Sequence, residues 1–321
     1  MEPYSLIKTL GDITQVEPAV IVKNLSCMIY GSNMIGFAGG SLATTYRLCC
    51  AVFDEEGSQL PEDITMNDVE YTEIRQHLID RKLPWAHDRI QQSYRETLQH
   101  AQAAKYLIEK ICIEKDFSEN TIKETHGILT NKIDIDQNTP WPSYSGTYRN
   151  WDGRSNSHIF TDVAQIPNAI HNMVNALMAE ISLAVAPYDG IAIGQLSKPE
   201  VWARVSFASK YCHRFVNIHP FADGNGRMCR LLLNALLLRV GVCPAVIGVH
   251  DRDRKVYLRI AVNGSQNDLQ NQGEAVPEPH LELAAFVLAH VQPGLWSTKD
   301  LNTYLSPFLQ VTGRDNAMLP Q

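Results

Sequence analysis

A chain of 321 residues with 45% apolar and 20% charged residues can bury a core of its own, in one large or two modest domains. Its formal charge of -7, with Lys and Arg scattered along the chain, offers no basic stripe and excludes nucleic acid as the main partner. Seven cysteines, without a C-x-x-C pair and mostly set in apolar stretches, read as reduced core residues of a reducing compartment, with no structural zinc.

Residues 1–60 mix short apolar runs with Gly31, Gly36, Gly39 and Gly40, which predicts short helices joined by tight turns. From Asp88 to Lys110, Ile90, Tyr94, Leu98, Ala101 and Ala104 recur at three-to-four spacing, a long amphipathic helix whose Tyr94 and Tyr106 are expected to pack in the core. Ser118 precedes a helix that carries Ile122, Thr125, Ile128 and Leu129 on one face and fades by Lys132. Asp134 to Asp162 breaks the pattern with Pro140, Pro142, Gly146 and Gly153. It reads as a structured surface loop in which Thr147-Tyr148-Arg149 and His158-Ile159-Phe160 form the two strands of a hairpin. Helical spacing returns from Ile166 through Ile181.

Ser197-Lys198-Pro199-Glu200 has the spacing of a capping box, so a helix starts there and stops before His219-Pro220, because the residue ahead of a proline is pushed out of the helical region. A second helix opens near Asn225, carries Met228, Leu231, Leu232 and Leu236, and ends at Gly241. The fold class is therefore all-α, with at most one short β-hairpin. The tail after Pro293 has no period, and Thr312 to Gln321 are expected to be loosely held. Met1-Glu2-Pro3-Tyr4 begins neither a basic nor an apolar leader, and no uncharged run approaches the about 20 residues of a membrane helix; a soluble, cytoplasmic protein is expected.

Residues 219–230 carry the chemistry. Two glycines flank Asn225 where an apolar helix begins, a costly choice that exposes backbone N–H groups. A helix N-terminus with bare amides and partial positive charge makes Gly224, Asn225, Gly226 and Arg227 a cradle for phosphate oxygens, and Arg227 and Arg230 share a helix face beside it. Asp223 would repel such a ligand unless a cation lay between them, which points to Mg²⁺ held jointly by carboxylate and phosphate. His219 stands at the entry to the turn, where an imidazole titrating near neutrality can take a proton from an attacking hydroxyl.

His219-Pro220-Phe221-Ala222-Asp223-Gly224-Asn225-Gly226-Arg227-Met228-Cys229-Arg230 resembles, position for position, the HPFx[D/E]GNGRxxR signature of the Fic family of protein AMP-transferases. Gly146-Thr147-Tyr148-Arg149 looks like the start of that family's flap, and Arg254, Tyr257 and Asn263 look like its helix beside the nucleotide base. The resemblance implies a Fic-type helical bundle with a β-hairpin flap, and a transferase that moves AMP from ATP to a Ser, Thr or Tyr hydroxyl of a protein. It implies His219 as general base, Asp223 as ligand to Mg²⁺ or Mn²⁺, Gly224, Asn225 and Gly226 as anion hole, and Arg227 and Arg230 on the β- and γ-phosphates. Tyr257 and Asn263 would line the nucleotide site, and His158, Ile159 and Phe160 would dock the target segment by backbone pairing. It also implies auto-modification, and it is compatible with a homodimer. The implied division is an N-terminal helical region over 1–87, a catalytic core over 88–292 and an extension over 293–321.

Many Fic proteins restrain themselves with a helix reading [S/T]-x-x-x-E-[G/N], and residues 26–40 hold its counterpart, with Ser32 in place and Gly36 where the glutamate belongs. Phe37 departs from the pattern too. Either Ser32 to Gly36 is an accidental turn sequence, or a glutamate has been replaced, naturally or by design, and Arg230 is released to bind the γ-phosphate. The second reading implies a constitutively active, derepressed enzyme. Within the fold, transfer of another phosphate-containing group is the alternative chemistry; outside it, a non-catalytic nucleotide- or protein-binding module. A hydrolase using Ser206, His219 and Asp223 is weaker, because Ser206 lies mid-helix without a nucleophile elbow.

Overall fold

From Leu231 to Leu238 every side chain is buried, and a helix that is apolar on all sides has to sit at the centre of its fold. In the computed structural model, which describes residues 6–53, 60–151, 154–155, 158–185, 196–270 and 278–291, this helix (α9, Asn225–Arg239) is packed by its neighbours on several sides. Around it run α1 (Leu6–Thr14), α2 (Pro18–Ile35), α3 (Leu42–Phe53), α4 (Val69–Asp80), α5 (His87–Ile108), α6 (Glu119–Thr130), α7 (Ile166–Val185), α8 (Lys198–Ile218), α10 (Asp251–Gln270) and α11 (Leu281–Val291). The architecture is all-α, as expected. α8 packs against α9 beyond the motif turn that joins them, and α5, α2 and α1 also pack against α9. Burying the six leucines of α9 contributes on the order of 10 kcal/mol as an upper estimate. The start of α9 is thereby anchored to the buried core.

Local signals set the helix ends. Ser118 caps α6 in a capping box with Thr121, and the Ser197 amide and hydroxyl both donate to the Glu200 carboxylate at the start of α8. Gly241, at φ +76°, closes α9 in the left-handed region.

Four expectations need correction. Over residues 6–53 α1 and α3 are short, but α2 is one long element that runs 18 residues straight through Gly31. That glycine allows close approach, since a Cβ there would come within 2.3 Å of the Ile247 carbonyl oxygen. Tyr94 is core, but Tyr106 is only half-buried and gives its hydroxyl to Glu124. The hairpin pairing Thr147–Arg149 with His158–Phe160 is not seen. Arg149 donates its amide to the Pro220 carbonyl (2.9 Å) and Tyr148 bridges to Phe221, while a two-residue antiparallel ladder pairs Arg154 with Ile159 and Ser155 with His158. At Tyr148 and Arg149 the backbone pairs with the motif turn rather than with the second half of the loop. Finally, Cys50 is exposed although five of the seven cysteines are buried; all seven are free thiols.

Among the described residues no helix is long and apolar enough to cross a membrane. The expectations for the tail after Pro293 fall outside the described residues.

Candidate active site

The turn 219–225 is a knot of backbone constraints. α8 stops at His219, whose amide still reaches the Phe215 carbonyl (3.0 Å) while its own backbone turns left-handed at φ 50°, ψ 59°. Pro220 follows, and Phe221 drops fully into the core. Asn225, itself 2% exposed, closes the loop with two bonds to one residue: Oδ1 accepts the Phe221 amide (3.0 Å) and Nδ2 donates to its carbonyl (2.8 Å). Asn225 is therefore a clasp of the turn as well as part of the expected anion cradle. Gly224, at φ +76°, is the left-handed cap from which α9 begins.

Two side chains to which the sequence assigned no role in the turn, Arg149 of the expected flap and His126, hold it from outside. Arg149 is 4% exposed and donates to three carbonyls: Nε to His219 (2.7 Å), Nη1 to Trp151 (2.8 Å) and Nη2 to Thr161. His126, on α6, stacks flat on Phe221 with ring centroids 3.7 Å apart and an angle of 4°. Its Nδ1 accepts the Gly146 amide (2.9 Å), which fixes the proton on Nε2, and Nε2 donates to the Asp223 carbonyl (3.0 Å). Burial lowers the His126 pKa to about 4, so the ring works as a neutral peg. Its only signal in the sequence was a place near the buried face of α6.

Asp223 is about half exposed and its Oδ2 pairs with Arg227 Nη2 at 3.2 Å, while Arg227 itself is 8% exposed and its Nη1 is buried without a hydrogen-bond partner. Arg230, 4% exposed, donates through Nε to the Ser32 hydroxyl and through Nη2 to the Ser32 carbonyl, both at 2.8 Å. Its guanidinium lies over the Tyr257 ring, 5.4 Å from the centroid. Gly226 leaves room for it, since a Cβ there would sit 3.3 Å from Arg230 Nη1.

Among the residues expected at the rim, Phe160 stacks on the His219 ring at 3.7 Å, and His158 and Ile159 form the second strand of the two-residue ladder. Tyr257 is buried with its hydroxyl 3.3 Å from Cys229 Sγ, so it supports Arg230 from below rather than presenting a face to solvent. Asn263 is half-buried further along α10. Gly36 caps α2 at φ -96° on the exposed surface, two residues after Met34. Ser206 faces His280 (3.2 Å), so the residues of a hydrolase triad are not brought together.

The Fic/DOC family model matches residues 116–237, which contain α6, α8, most of α9 and the whole motif turn. This chain carries a Fic domain. It is 48% identical over 71 residues to the protein adenylyltransferase Fic of Nematostella vectensis, a stretch that is 22% of this chain and 17% of that protein. It is 34% identical over 118 residues to the protein adenylyltransferase Fic of Drosophila mojavensis, covering 36% of this chain and 21% of that one. The matches thus span about a fifth of these relatives' length. The Fic fold extends over nearly the whole chain. A Fic domain containing signaling protein from Bacteroides thetaiotaomicron superposes with a TM-score of 0.57 at 15% identity, over 97% of this chain and 96% of that one. Fic-1 from C. elegans gives a TM-score of 0.53 at 16% identity, over 96% and 73%.

Proposed function

We propose that this Fic-domain protein transfers AMP from ATP to a hydroxyl side chain of a protein, with this chain itself among the substrates. One observation carries the reading: a buried arginine N–H without an acceptor, Arg227 Nη1, beside the amides that open α9. A buried guanidinium donor left unmet costs about 1–3 kcal/mol, and a phosphate oxygen is the ligand that satisfies it. The residues fit a metal-bound triphosphate in charge as well. Asp223 is the acid that would hold Mg²⁺, which neutralises phosphate charge when bound; among the described residues no cluster of three or more His, Cys, Asp or Glu could hold a metal alone, so the site depends on phosphate oxygens. The relatives' name, protein adenylyltransferase, supports the same chemistry.

In that reaction the hydroxyl oxygen bonds to the α-phosphorus, the bond to the β-phosphate oxygen breaks, and pyrophosphate leaves. The hydroxyl proton passes to the His219 imidazole, whose plane is fixed by Phe160 on one side and whose backbone is held by Arg149. Arg227 and Arg230 take up the charge that develops on the leaving group. Gly36 belongs to the same reading: Arg230 meets only neutral oxygens, the Ser32 hydroxyl and carbonyl, which orient the guanidinium and leave its charge for a γ-phosphate, and the enzyme is derepressed.

Labelling with ATP that carries the isotope on its α-phosphate, in parallel with γ-labelled ATP, tests the proposal. Label is expected on protein from the first and not the second, and His219→Ala is expected to lower it at least about 100-fold while ATP binding persists. Label from γ-labelled ATP, or labelling unchanged in His219→Ala, overturns it.

A further inference from the structure

One buried titratable side chain beside the arginines has no part in the reaction above. His100, on α5, is fully buried, and its Nδ1 lies 2.7 Å from Asn33 Oδ1 near the end of α2. An amide oxygen only accepts, so the proton is on Nδ1 and Nε2 keeps a lone pair; Nε2 is buried without a partner. The next residue along the chain from Asn33 is Ser32, whose hydroxyl and carbonyl hold Arg230. A continuous path of short bonds thus runs from α5 through the last turns of α2 to a motif arginine on α9.

The same face of α5 secures the rest of that turn. The Gly39 amide donates to Glu96 Oε2 (2.6 Å) and the Gly40 amide to Thr97 Oγ1 (2.9 Å). Glu96, Thr97 and His100 stand one and four residues along the helix, on adjoining positions of one side. Asn33 is itself confined, because a Cβ on Gly39 would come within 2.5 Å of its amide nitrogen.

The charged groups around His100 are Arg227 and Arg230 on α9 and Glu96 on α5; α2 contributes only neutral Ser32 and Asn33. Glu96 is committed to Gly39, Arg89 and Gln92. Burial first, then the two guanidinium groups, hold the imidazole pKa well below its ordinary value. A neutral ring is tolerated there, where an imidazolium would be a third like charge.

We infer that His100 is a positioning residue for Arg230: as a neutral imidazole it donates to Asn33, fixes the turn that presents Ser32, and so sets the guanidinium that receives the polyphosphate. The inference rests on the reading of this site as a triphosphate pocket. Loss of the donor should weaken ATP binding while the transfer step, centred on His219, is spared.

A double-mutant cycle tests it. His100→Leu, which fills the space but cannot donate, is expected to raise the KM for ATP about tenfold with kcat nearly unchanged, and His100→Asn, whose amide N–H stands near Nδ1, is expected to restore most of it. Ser32→Ala with His100→Leu should be no worse than either alone, because both break one path. Additive effects, or an Asn variant as poor as Leu, overturn the inference. Nitrogen NMR of the wild-type imidazole decides independently of activity: a proton on Nδ1 is expected at neutral pH, and a proton on Nε2 refutes it. Should the wild type bind ATP but transfer nothing, the cycle is read as ATP affinity; a wild type that fails to bind ATP removes the pocket reading itself, and the NMR result still judges His100.

Discussion

The two glycines that flank Asn225 in the motif do different work, and substitution separates them. Gly224 sits at φ +76° with a prospective Cβ 3.3 Å from His126 Nε2, so Gly224→Ala forces an L residue into the left-handed region and pushes on the peg beneath Phe221. A loss of about 1–2 kcal/mol is expected, read as a lower urea midpoint. Gly226 lies in the first turn of α9 with helical backbone, and its missing Cβ clears only the tip of Arg230. Gly226→Ala should leave stability within about 1 kcal/mol of the wild type, or raise it, and weaken ATP binding instead. Equal destabilisation by both changes would show that the motif glycines serve the backbone alone. The residue types of the motif were legible because each broke a local rule: a glycine at a helix start, an acid beside bare amides, a histidine before proline. His126, Arg149 and His100 were not, because nothing local distinguishes a buried polar residue that serves a partner 97, 70 or 67 positions away.

At the scale of the element, the end of α2 is where sequence and structure meet most informatively. The helices α7, α8 and α9 were readable from spacing and caps, which are local properties, whereas α10 was marked only through the family resemblance and α11 was not foreseen. The length of α2 was not, since Gly31 looks like a helix breaker until Ile247 and Gly248 are placed against it. Nor was the failure of the expected hairpin, because the competing partner of Tyr148 and Arg149 is the motif turn 72 or so residues away. The same packing decides what a side chain at 36 would meet. Gly36 has an ordinary φ of -96°, and a Cβ there has only the Asn33 carbonyl oxygen near it, at 3.7 Å. Gly36→Glu therefore should fold normally, with the thermal midpoint moved little, and place a carboxylate at the end of the helix that already touches Arg230 through Ser32. Auto-labelling from ATP is expected to fall by about tenfold or more, a salt-bridge competitor having been supplied to the phosphate-binding guanidinium. Unchanged labelling by a folded Gly36→Glu protein would mean that residues 32–36 resemble the inhibitory segment without performing its task.

Across the whole molecule, the main core extends from Leu6 on α1 to Val291 on α11, a second cluster around Ile74 and Tyr94 joins α4 to α5, and the interior holds imidazoles as well as hydrocarbon. His77, His100 and His126 are all held below the ordinary histidine pKa, chiefly by burial. For a base with a depressed folded pKa the unfolded chain binds more protons once pH drops below about 6.5, so the stability is complete above that value and is lost as pH falls through it. His126, with a folded pKa of about 4, should alone forfeit about 2 kcal/mol by pH 5. Carboxylates with lowered pKa, such as Glu73 beside Arg47 and Asp253 beside His290, act in the same direction but at more acid pH. Urea unfolding in metal-free buffer is therefore expected to show a midpoint that drops steeply between pH 7 and pH 5, before carboxylates titrate. His126→Gln, which keeps an amide donor but cannot take up a proton, should start less stable and then follow a flatter curve through that window. A variant curve parallel to the wild type would show that His126 titrates normally in the folded protein, and that the motif turn rests on something other than a neutral ring.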